Sequence, residues 1–348
     1  MHSPTSVPDV PSRRATLAAE LTRRTLRPVA GLLPANQVGL AVSRQIVARS
    51  MQLFGQVQPG TTVTPVHEHL DSGQVRGEWV VGPGATPPDG GAVLLYLHGS
   101  AYSVCSPRTH RGLVSHLSAR TGLAAFSLDY RLAPRHRFPR AAHDVERAWD
   151  WLLSRSLPAE RIVLAGDSAG GHLALDLCLA LNRAGRPQPA AQLLFSPVAD
   201  LTLELARERE RARPDPMISA AGARRLIGFY TSGTDATHAR LAHVVERHER
   251  LAPTLIQAGG REMLAADAHH LHRALRGSGT HCELEVWPGQ MHVFQAMPRL
   301  IPEADPALRR AARFALDALD VCSPGIPARP GPAARRPGAH DPASWRSA

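Results

Sequence analysis

Short apolar runs alternate along most of this chain with longer stretches in which apolar residues recur at helical spacing. The runs are Ala92–Leu97, Leu123–Asp129, Arg161–Gly166, Gln192–Ser196, Pro253–Ala258 and Cys282–Val286. The stretches with helical spacing lie at about 107–121, 139–156, 169–184, 219–230, 264–276 and 306–320. Continuous apolar strands separated by helices are typical of a mostly parallel sheet that is covered on both faces. The pattern therefore predicts an α/β fold.

Two further strands and two further helices precede this alternation. Thr61–Leu70 and Gln74–Val81 are predicted to be extended and joined by an Asp-Ser-Gly turn, which brings the number of strands to eight. Residues 13–54 have helical spacing, and Pro28 and Pro34 divide them into two short helices. Residues 323–348 are rich in proline and arginine and poor in apolar side chains, so we expect a disordered tail.

The segment at about residues 200–230 interrupts the alternation. Within it, Glu204–Arg213 is a run of charged residues, which alone predicts a solvated helix or a loop. The segment follows a strand that ends at Ser196 and Pro197. We therefore expect an insertion above the sheet, in the position of a lid.

The composition excludes several kinds of chemistry. All 40 basic residues are arginine, so the chain has no Walker phosphate loop, no pyridoxal-phosphate lysine and no Ser–Lys dyad. The four cysteines form no CxxC pair and no HExxH motif occurs, which predicts reduced thiols, a cytoplasmic location and no metal. No cofactor is implied. The apolar runs are too short for a membrane span, and the first thirty residues lack the apolar core of a secretory signal.

The net charge of +10 is concentrated near the two ends. Residues 1–50 carry +5, from seven Arg against Asp9 and Glu20, and residues 323–348 carry +3, from four Arg against Asp341. The body is nearly neutral and has no basic stripe with interleaved aromatic residues, so we expect no nucleic-acid partner. The basic N-terminal helix either touches a membrane surface weakly or packs on its own domain, and both readings stay open. A homodimer is open as well.

The clearest chemical motif is Gly166–Gly170, which fits G-x-S-x-G around Ser168. It lies where the predicted strand Arg161–Gly166 passes into the helix that begins at Ala169, which is the context that this motif requires. A serine at such a tight turn is held with its hydroxyl exposed. The N-terminus of the following helix directs a backbone N–H toward developing negative charge.

Further motifs surround this one and together resemble a known family. They are His98–Ala101 followed by Tyr102, Tyr130–Pro134, Phe138-Pro139 with Asp144, Gly166–Gly171, Ser196-Pro197, Asp200–Thr202 and Asp215-Pro216. In combination they resemble the hormone-sensitive-lipase family of α/β-hydrolases, the bacterial family IV esterases, over about residues 92–296. The resemblance implies an α/β-hydrolase fold with a helical cap. It places the tail and cap helices at 1–54 and a catalytic domain with the cap insertion at 55–322.

The resemblance also implies an oxyanion hole next to the serine. Its donors would be the backbone N–H groups of Ser100, Ala101 and Ala169, with Gly99 shaping the turn. The family has His-Gly-Gly-Gly here, so Ser100 and Ala101 replace its second and third glycines. The N–H groups survive this replacement, but a Cβ disfavours the positive φ that glycine allows.

The remaining members of a catalytic triad follow later in the chain. His292, in the loop after the strand Cys282–Val286, resembles the family's closing Met-x-His-x-Phe segment and would be the general base. Two carboxylates follow the strand Pro253–Ala258, namely Glu262 and Asp267. The family places its acid at the first of these positions, thirty residues before the histidine, so we expect Glu262 to orient His292.

The predicted activity is hydrolysis of a short- to medium-chain carboxylic ester through an acyl-enzyme on Ser168. Two alternatives remain open. One is a deacetylase of an acetylated small molecule that uses the same triad, and the other is a non-catalytic homologue that binds a small molecule. Asp144 and Asp167 are expected to be hydrogen-bonded structural residues, and Trp149 and Trp151 to lie in the core.

Overall fold

The computed structural model describes residues 7–28, 36–89, 91–99, 101–235 and 237–321, and the described strands form one eight-stranded sheet. The strands are β1 (Thr62–Leu70), β2 (Gly73–Val81), β3 (Val93–Leu97), β4 (Ala124–Leu128), β5 (Ile162–Asp167), β6 (Ala191–Phe195), β7 (Thr254–Gly259) and β8 (Cys282–Trp287). The helices are α1 (Arg13–Arg24), α2 (Gln37–Phe54), α3 (Pro107–Thr121), α4 (Arg140–Ser154), α5 (Ala169–Arg183), α6 (Glu204–Ala212), α7 (Ala220–Thr231), α8 (Ala265–Gly277) and α9 (Ala304–Val321). Every predicted strand is present, with bounds within two residues of those expected.

The strand order is β1-β2-β4-β3-β5-β6-β7-β8. β1 pairs antiparallel with β2, and β2 pairs antiparallel with β4, whereas all further neighbours are parallel. The predicted mostly parallel, eight-stranded sheet is thus confirmed. Because β5, β6, β7 and β8 are neighbours and parallel, the loops after them meet at one edge of the sheet.

Two apolar layers cover the sheet. Consecutive residues of β3 point to opposite faces, so Leu95 belongs to one buried cluster with Trp149 of α4, and Leu94 belongs to another with Val114 of α3. All four side chains are buried, and burial of each is worth about 1.5–3 kcal/mol. The continuous apolar runs in the sequence reflect this double covering.

Helix α1 packs on its own domain. Its buried face consists of small residues, Ala15, Ala18 and Ala19, which contact a cluster that includes Trp287 of β8 and Met291 of the following loop. Ser12 caps the helix by accepting a hydrogen bond from the Ala15 N–H. Packing on the domain is therefore observed, although the opposite face of α1 remains exposed.

The charged run Glu204–Arg213 forms helix α6, which ends at Ala212. The expected tail at 323–348 lies outside the described residues. Each helix in the described part of the chain is too short or too polar to span a lipid bilayer.

Candidate active site

Ser168 occupies the tight turn between β5 and α5. Its backbone is strained, with φ +52° and ψ −118°. Glycines flank it because side chains would not fit. A Cβ on Gly166 would lie 2.5 Å from the Gly170 carbonyl oxygen, and one on Gly170 would lie 1.9 Å from that of Leu97. The turn therefore presses the start of α5 against β3.

Hydrogen bonds hold the serine in this conformation. The Ser168 N–H donates to the Phe195 carbonyl at 2.9 Å, and the Ser168 carbonyl accepts from the N–H groups of His172 and Val198, each at 3.2 Å. Ala169 follows directly as the first residue of α5, and helix N-terminal N–H groups favour negative charge. Ser168 lines a cavity of about 330 Å³ that His292 also lines.

His292 and Glu262 are paired at the edge of this cavity. His292 Nδ1 lies 2.5 Å from Glu262 Oε2. Glu262 is wholly buried, and its other oxygen, Oε1, accepts hydrogen bonds from the Gly259 N–H at 2.6 Å and the Ser196 hydroxyl at 2.8 Å. Because a carboxylate only accepts, the pairing places a proton on Nδ1 and leaves Nε2 free to take one.

The charges around His292 favour its protonated form. Burial alone lowers the pKa of His292, but the hydrogen bond and the charge of Glu262, together with the charges of Asp215 and Asp167, outweigh it. The net effect raises the pKa above the ordinary histidine value. This is the environment that a general base needs when it becomes an imidazolium during the reaction.

The alternative acid, Asp267, lies elsewhere. Its Oδ1 accepts hydrogen bonds from the backbone N–H groups of Ala199 and Asp200, both at 3.0 Å. Burial raises the pKa of Asp267 to about 7. Of the two carboxylates considered from the sequence, Glu262 is therefore the one that contacts His292, and Asp267 anchors the segment after β6.

Asp167 fixes the turn that follows β3. Its Oδ1 accepts hydrogen bonds from the Tyr96 hydroxyl at 2.6 Å and from the Gly99 N–H at 2.8 Å, and its Oδ2 lies 3.4 Å from His110 Nε2. Burial raises the pKa of Asp167, but His110 and these hydrogen bonds outweigh burial and hold the pKa below its usual value. The N–H of Gly99 is thus committed to Asp167, so Gly99 shapes the turn without donating to an oxyanion.

The substituted part of this turn adopts the conformation that glycine would favour. Ala101 has φ +46° and Tyr102 has φ +60°. A non-glycine residue in this region pays about 1–2 kcal/mol. Ala101 lines the cavity beside Ser168, whereas Ser100, the other expected donor, lies outside the described residues.

The second predicted structural carboxylate behaves as expected. Asp144 accepts hydrogen bonds from the backbone N–H and guanidinium of Arg131 and forms an ion pair with Arg147. It thereby holds the segment that begins at Tyr130. Cys105 borders the cavity, but burial raises the pKa of its thiol to about 12, which makes it a poor nucleophile.

The sequence assigns no catalytic or positioning role to Ser196, which connects Glu262 to the residue after His292. Its hydroxyl donates to Glu262 Oε1 at 2.8 Å and accepts from the Val293 N–H at 3.0 Å. Its backbone is also strained, with φ +48°. The only sequence indication was the Ser-Pro dipeptide at the end of β6.

Comparison with known proteins identifies the family to which this chain belongs. Residues 94–296 match the model of a family described by its α/β-hydrolase fold. An acetyl-hydrolase of Streptomyces hygroscopicus is 37% identical over 268 residues, which are 76% of this chain and 86% of that protein. Carboxylesterase/phospholipase LipF of Mycobacterium tuberculosis is 34% identical over 320 residues, or 90% of this chain and 83% of LipF. The chain belongs to the α/β-hydrolase family.

Two solved structures indicate which group of α/β-hydrolases this chain resembles. The crystal structure of an esterase from the bacterial hormone-sensitive lipase family superposes with a TM-score of 0.77 at 29% identity, and the match covers 88% of this chain and 99% of that one. An esterase/lipase from an uncultured bacterium superposes with a TM-score of 0.78 at 30% identity, over 89% of this chain and 99% of that one. The predicted resemblance to the hormone-sensitive-lipase group is thereby confirmed.

Proposed function

We propose that Ser168, His292 and Glu262 form the catalytic triad of this chain and hydrolyse small carboxylic esters through an acyl-enzyme. The chain is a carboxylic ester hydrolase by class, like its relatives. The observation that carries the proposal is the geometry of the site. A strained serine at a helix N-terminus lines the same cavity as a histidine whose Nδ1 contacts a buried carboxylate.

The reaction follows from these positions. Ser168 Oγ attacks the ester carbonyl carbon while His292 Nε2 takes the hydroxyl proton, and Glu262 stabilises the imidazolium that results. The oxyanion accepts hydrogen bonds from the N–H groups of Ala101 and Ala169, with Ser100 as the third expected donor. His292 then protonates the leaving alcohol, and water releases the acid by the same base.

The cavity supports a small apolar acyl group. Its volume of about 330 Å³ lies at the lower end of the range for ligand sites. The cavity is lined by apolar side chains from α2, from α7 and from the segment that precedes α7. They include Leu40, Val47, Met51, Met217, Ile218 and Ile227. Each buried CH₂ of a substrate is worth about 0.8 kcal/mol, so binding strengthens with chain length only until this small volume is filled, which favours short to medium chains.

The same lining supports the proposed cap. Residues of α1, of α2 and of the 200–230 segment all contribute to the wall of the cavity. The cytoplasmic location and a homodimer stay predictions of the sequence. Among the described residues, Cys105, Cys178 and Cys282 are free and buried, which supports a reducing compartment.

The outer face of α1 supports a weak contact with an anionic membrane surface. Leu17 and Leu21 are 69% and 63% exposed, and the helix carries four arginines against one glutamate. We expect binding to vesicles that contain phosphatidylglycerol and none to pure phosphatidylcholine. Replacement of both leucines by serine should abolish it, whereas the control Val244→Ser, which changes a residue 59% exposed elsewhere, should not. Equal binding by both variants would contradict the contact.

The enzymatic proposal is tested by pre-steady-state hydrolysis of p-nitrophenyl acetate, butyrate and octanoate, with an acetanilide alongside. We expect a burst of nitrophenol equal to the enzyme concentration, which reports the acyl-enzyme. Ser168→Ala should abolish the burst and most turnover while the protein stays folded. Turnover of the acetanilide above that of the esters would favour the deacetylase, and a Ser168→Ala variant with more than about a tenth of the wild-type rate would exclude this triad.

A further inference from the structure

The charged helix α6 contains an arginine that is bound to the loop of the predicted catalytic acid. Arg209 Nε donates to the Glu262 carbonyl oxygen and Arg209 Nη2 donates to the Gly260 carbonyl oxygen, each at 2.9 Å. These two carbonyls belong to the loop between β7 and α8. The planar guanidinium suits this double contact, since its N–H groups point in fixed directions.

A carboxylate of the same insertion holds the other side of that loop. Asp215 is wholly buried, and its Oδ2 accepts a hydrogen bond from the Met263 N–H at 2.8 Å. Its Oδ1 accepts from the N–H groups of Met217 at 2.7 Å and Ile218 at 3.0 Å. Asp215 therefore joins the residue after Glu262 to two residues that line the cavity.

The insertion is itself tied together. Glu210, next to Arg209, accepts a hydrogen bond from the Ala220 N–H at 2.9 Å, at the first residue of α7. It also forms an ion pair of 2.6 Å with Arg27, which follows α1. Helix α6, helix α7 and the N-terminal segment are thus connected to one another and, through Arg209 and Asp215, to the acid.

We propose that Arg209 and Asp215 are positioning residues that couple the cap over the cavity to the alignment of Glu262 with His292. The coupling rests on the proposed function of the triad. An occupant that displaces Met217 or Ile218 pulls directly on Asp215, and its effect reaches Arg209 through α7 and Glu210. The fit of the substrate under the cap thereby sets how well the acid orients the base. A misplacement of about 1 Å in such a site can cost about a hundredfold in rate.

The test compares Arg209→Met with a matched control, Arg207→Met. Arg207 lies two residues earlier on α6 and is exposed, and in the described residues its guanidinium pairs only with Glu204. With p-nitrophenyl butyrate we expect kcat of Arg209→Met to fall about 10- to 100-fold with KM changed less than about threefold, and Arg207→Met to match the wild type. Arg209→Lys keeps the charge but loses the planar fork of N–H donors, so it should recover only part of the loss.

A second readout does not depend on hydrolysis. The His292 Nδ1 proton in its short hydrogen bond to Glu262 should give a far-downfield proton signal, assigned by its absence in His292→Ala. We expect the signal to shift or broaden in Arg209→Met and to stay unchanged in Arg207→Met. If the wild type turned over no ester, the proposed function would fail while this comparison still decided the coupling.

Other outcomes overturn the coupling. Equal kcat and equal signals in the two variants would do so, as would a loss confined to KM, because the cap would then act in binding alone. If Arg209→Met does not fold, Asp215→Asn replaces it, because its amide cannot accept on both sides. Since this change also removes a charge that raises the pKa of His292, kcat and the proton signal are then compared on the plateau of the pH profile, where His292 is neutral in both proteins.

Discussion

Glu262→Gln replaces one carboxylate oxygen of the proposed catalytic acid by an NH₂ group and tests that role directly. In the native site Glu262 Oε1 accepts from two donors, the Gly259 N–H and the Ser196 hydroxyl, and Oε2 faces one, His292 Nδ1. Glutamine has one acceptor oxygen and one donor NH₂ group. Since the Oε1 side presents two donors, the amide oxygen will occupy it, and the NH₂ group will face His292.

The size of the effect follows from the proton on the ring. An NH₂ group that donates to Nδ1 forces the histidine proton onto Nε2. A protonated Nε2 cannot accept the proton of Ser168. In the serine-protease triad the corresponding change lowers kcat about 10⁴-fold. Glu262 is wholly buried, so water cannot relieve the mismatch. We expect kcat to fall about 10³- to 10⁴-fold, or about 4–5.5 kcal/mol at the transition state.

Asp267→Asn is the matched control. Asp267 is equally buried, and its Oδ1 accepts from the Ala199 and Asp200 N–H groups, which an amide oxygen can still satisfy. Its pKa of about 7 means that a neutral side chain is already well populated at neutral pH. We therefore expect kcat within about threefold of the wild type.

The assay measures kcat on p-nitrophenyl butyrate, with thermal unfolding to establish that both variants fold. The assignment of Glu262 is refuted if Asp267→Asn is the more damaging change. It is also refuted if Glu262→Gln keeps more than about a tenth of the wild-type rate.

Three further predictions concern the oxyanion turn and pH. In Gly99→Ala the new Cβ would lie 2.0 Å from Asp167 Oδ2, so the turn must move. We expect kcat to fall more than about tenfold, and unchanged turnover would show that the turn is not part of the site. In Ala101→Gly the strain at φ +46° is removed, and kcat should change less than about threefold, whereas a gain of about a hundredfold would show that the natural turn is impaired. The value of kcat/KM should fall as pH falls through the raised pKa of His292, because only the neutral ring is a base. We expect the midpoint of this fall above about pH 6.5, and a midpoint below that value would contradict the pairing with Glu262.

The sequence predicts the parts of the site that depend on neighbouring residues. Ser168 is identified by the glycines on both sides of it and by the strand that passes into a helix there. His292 and Glu262 are identified by their places after two late strands and by their family-like spacing. Such information is local, and the sheet then brings the loops together because β5 to β8 are parallel neighbours.

The tethers of the site could not be predicted in this way. Arg207 and Arg209 are two positions apart in the same charged run, yet one is exposed and the other binds the acid loop. Spacing along a helix shows which residues share a face, but not which face meets another part of the chain. Ser196 and Asp215 have the same difficulty, since their partners lie 66 and 48 residues further along the chain.

The burial of Glu262 explains why several hydrogen bonds hold this residue and its loop. A carboxylate without water is costly unless hydrogen bonds compensate for the lost hydration, and three donors surround this one. Its loop is neither helix nor strand, so the carbonyls of Gly260 and Glu262 lack the partners that regular structure would give them. Arg209 provides those partners from the insertion. On the proposed coupling, a related chain with a different residue at this position must satisfy the two carbonyls by other means, and otherwise its acid is held less firmly and its turnover is slower.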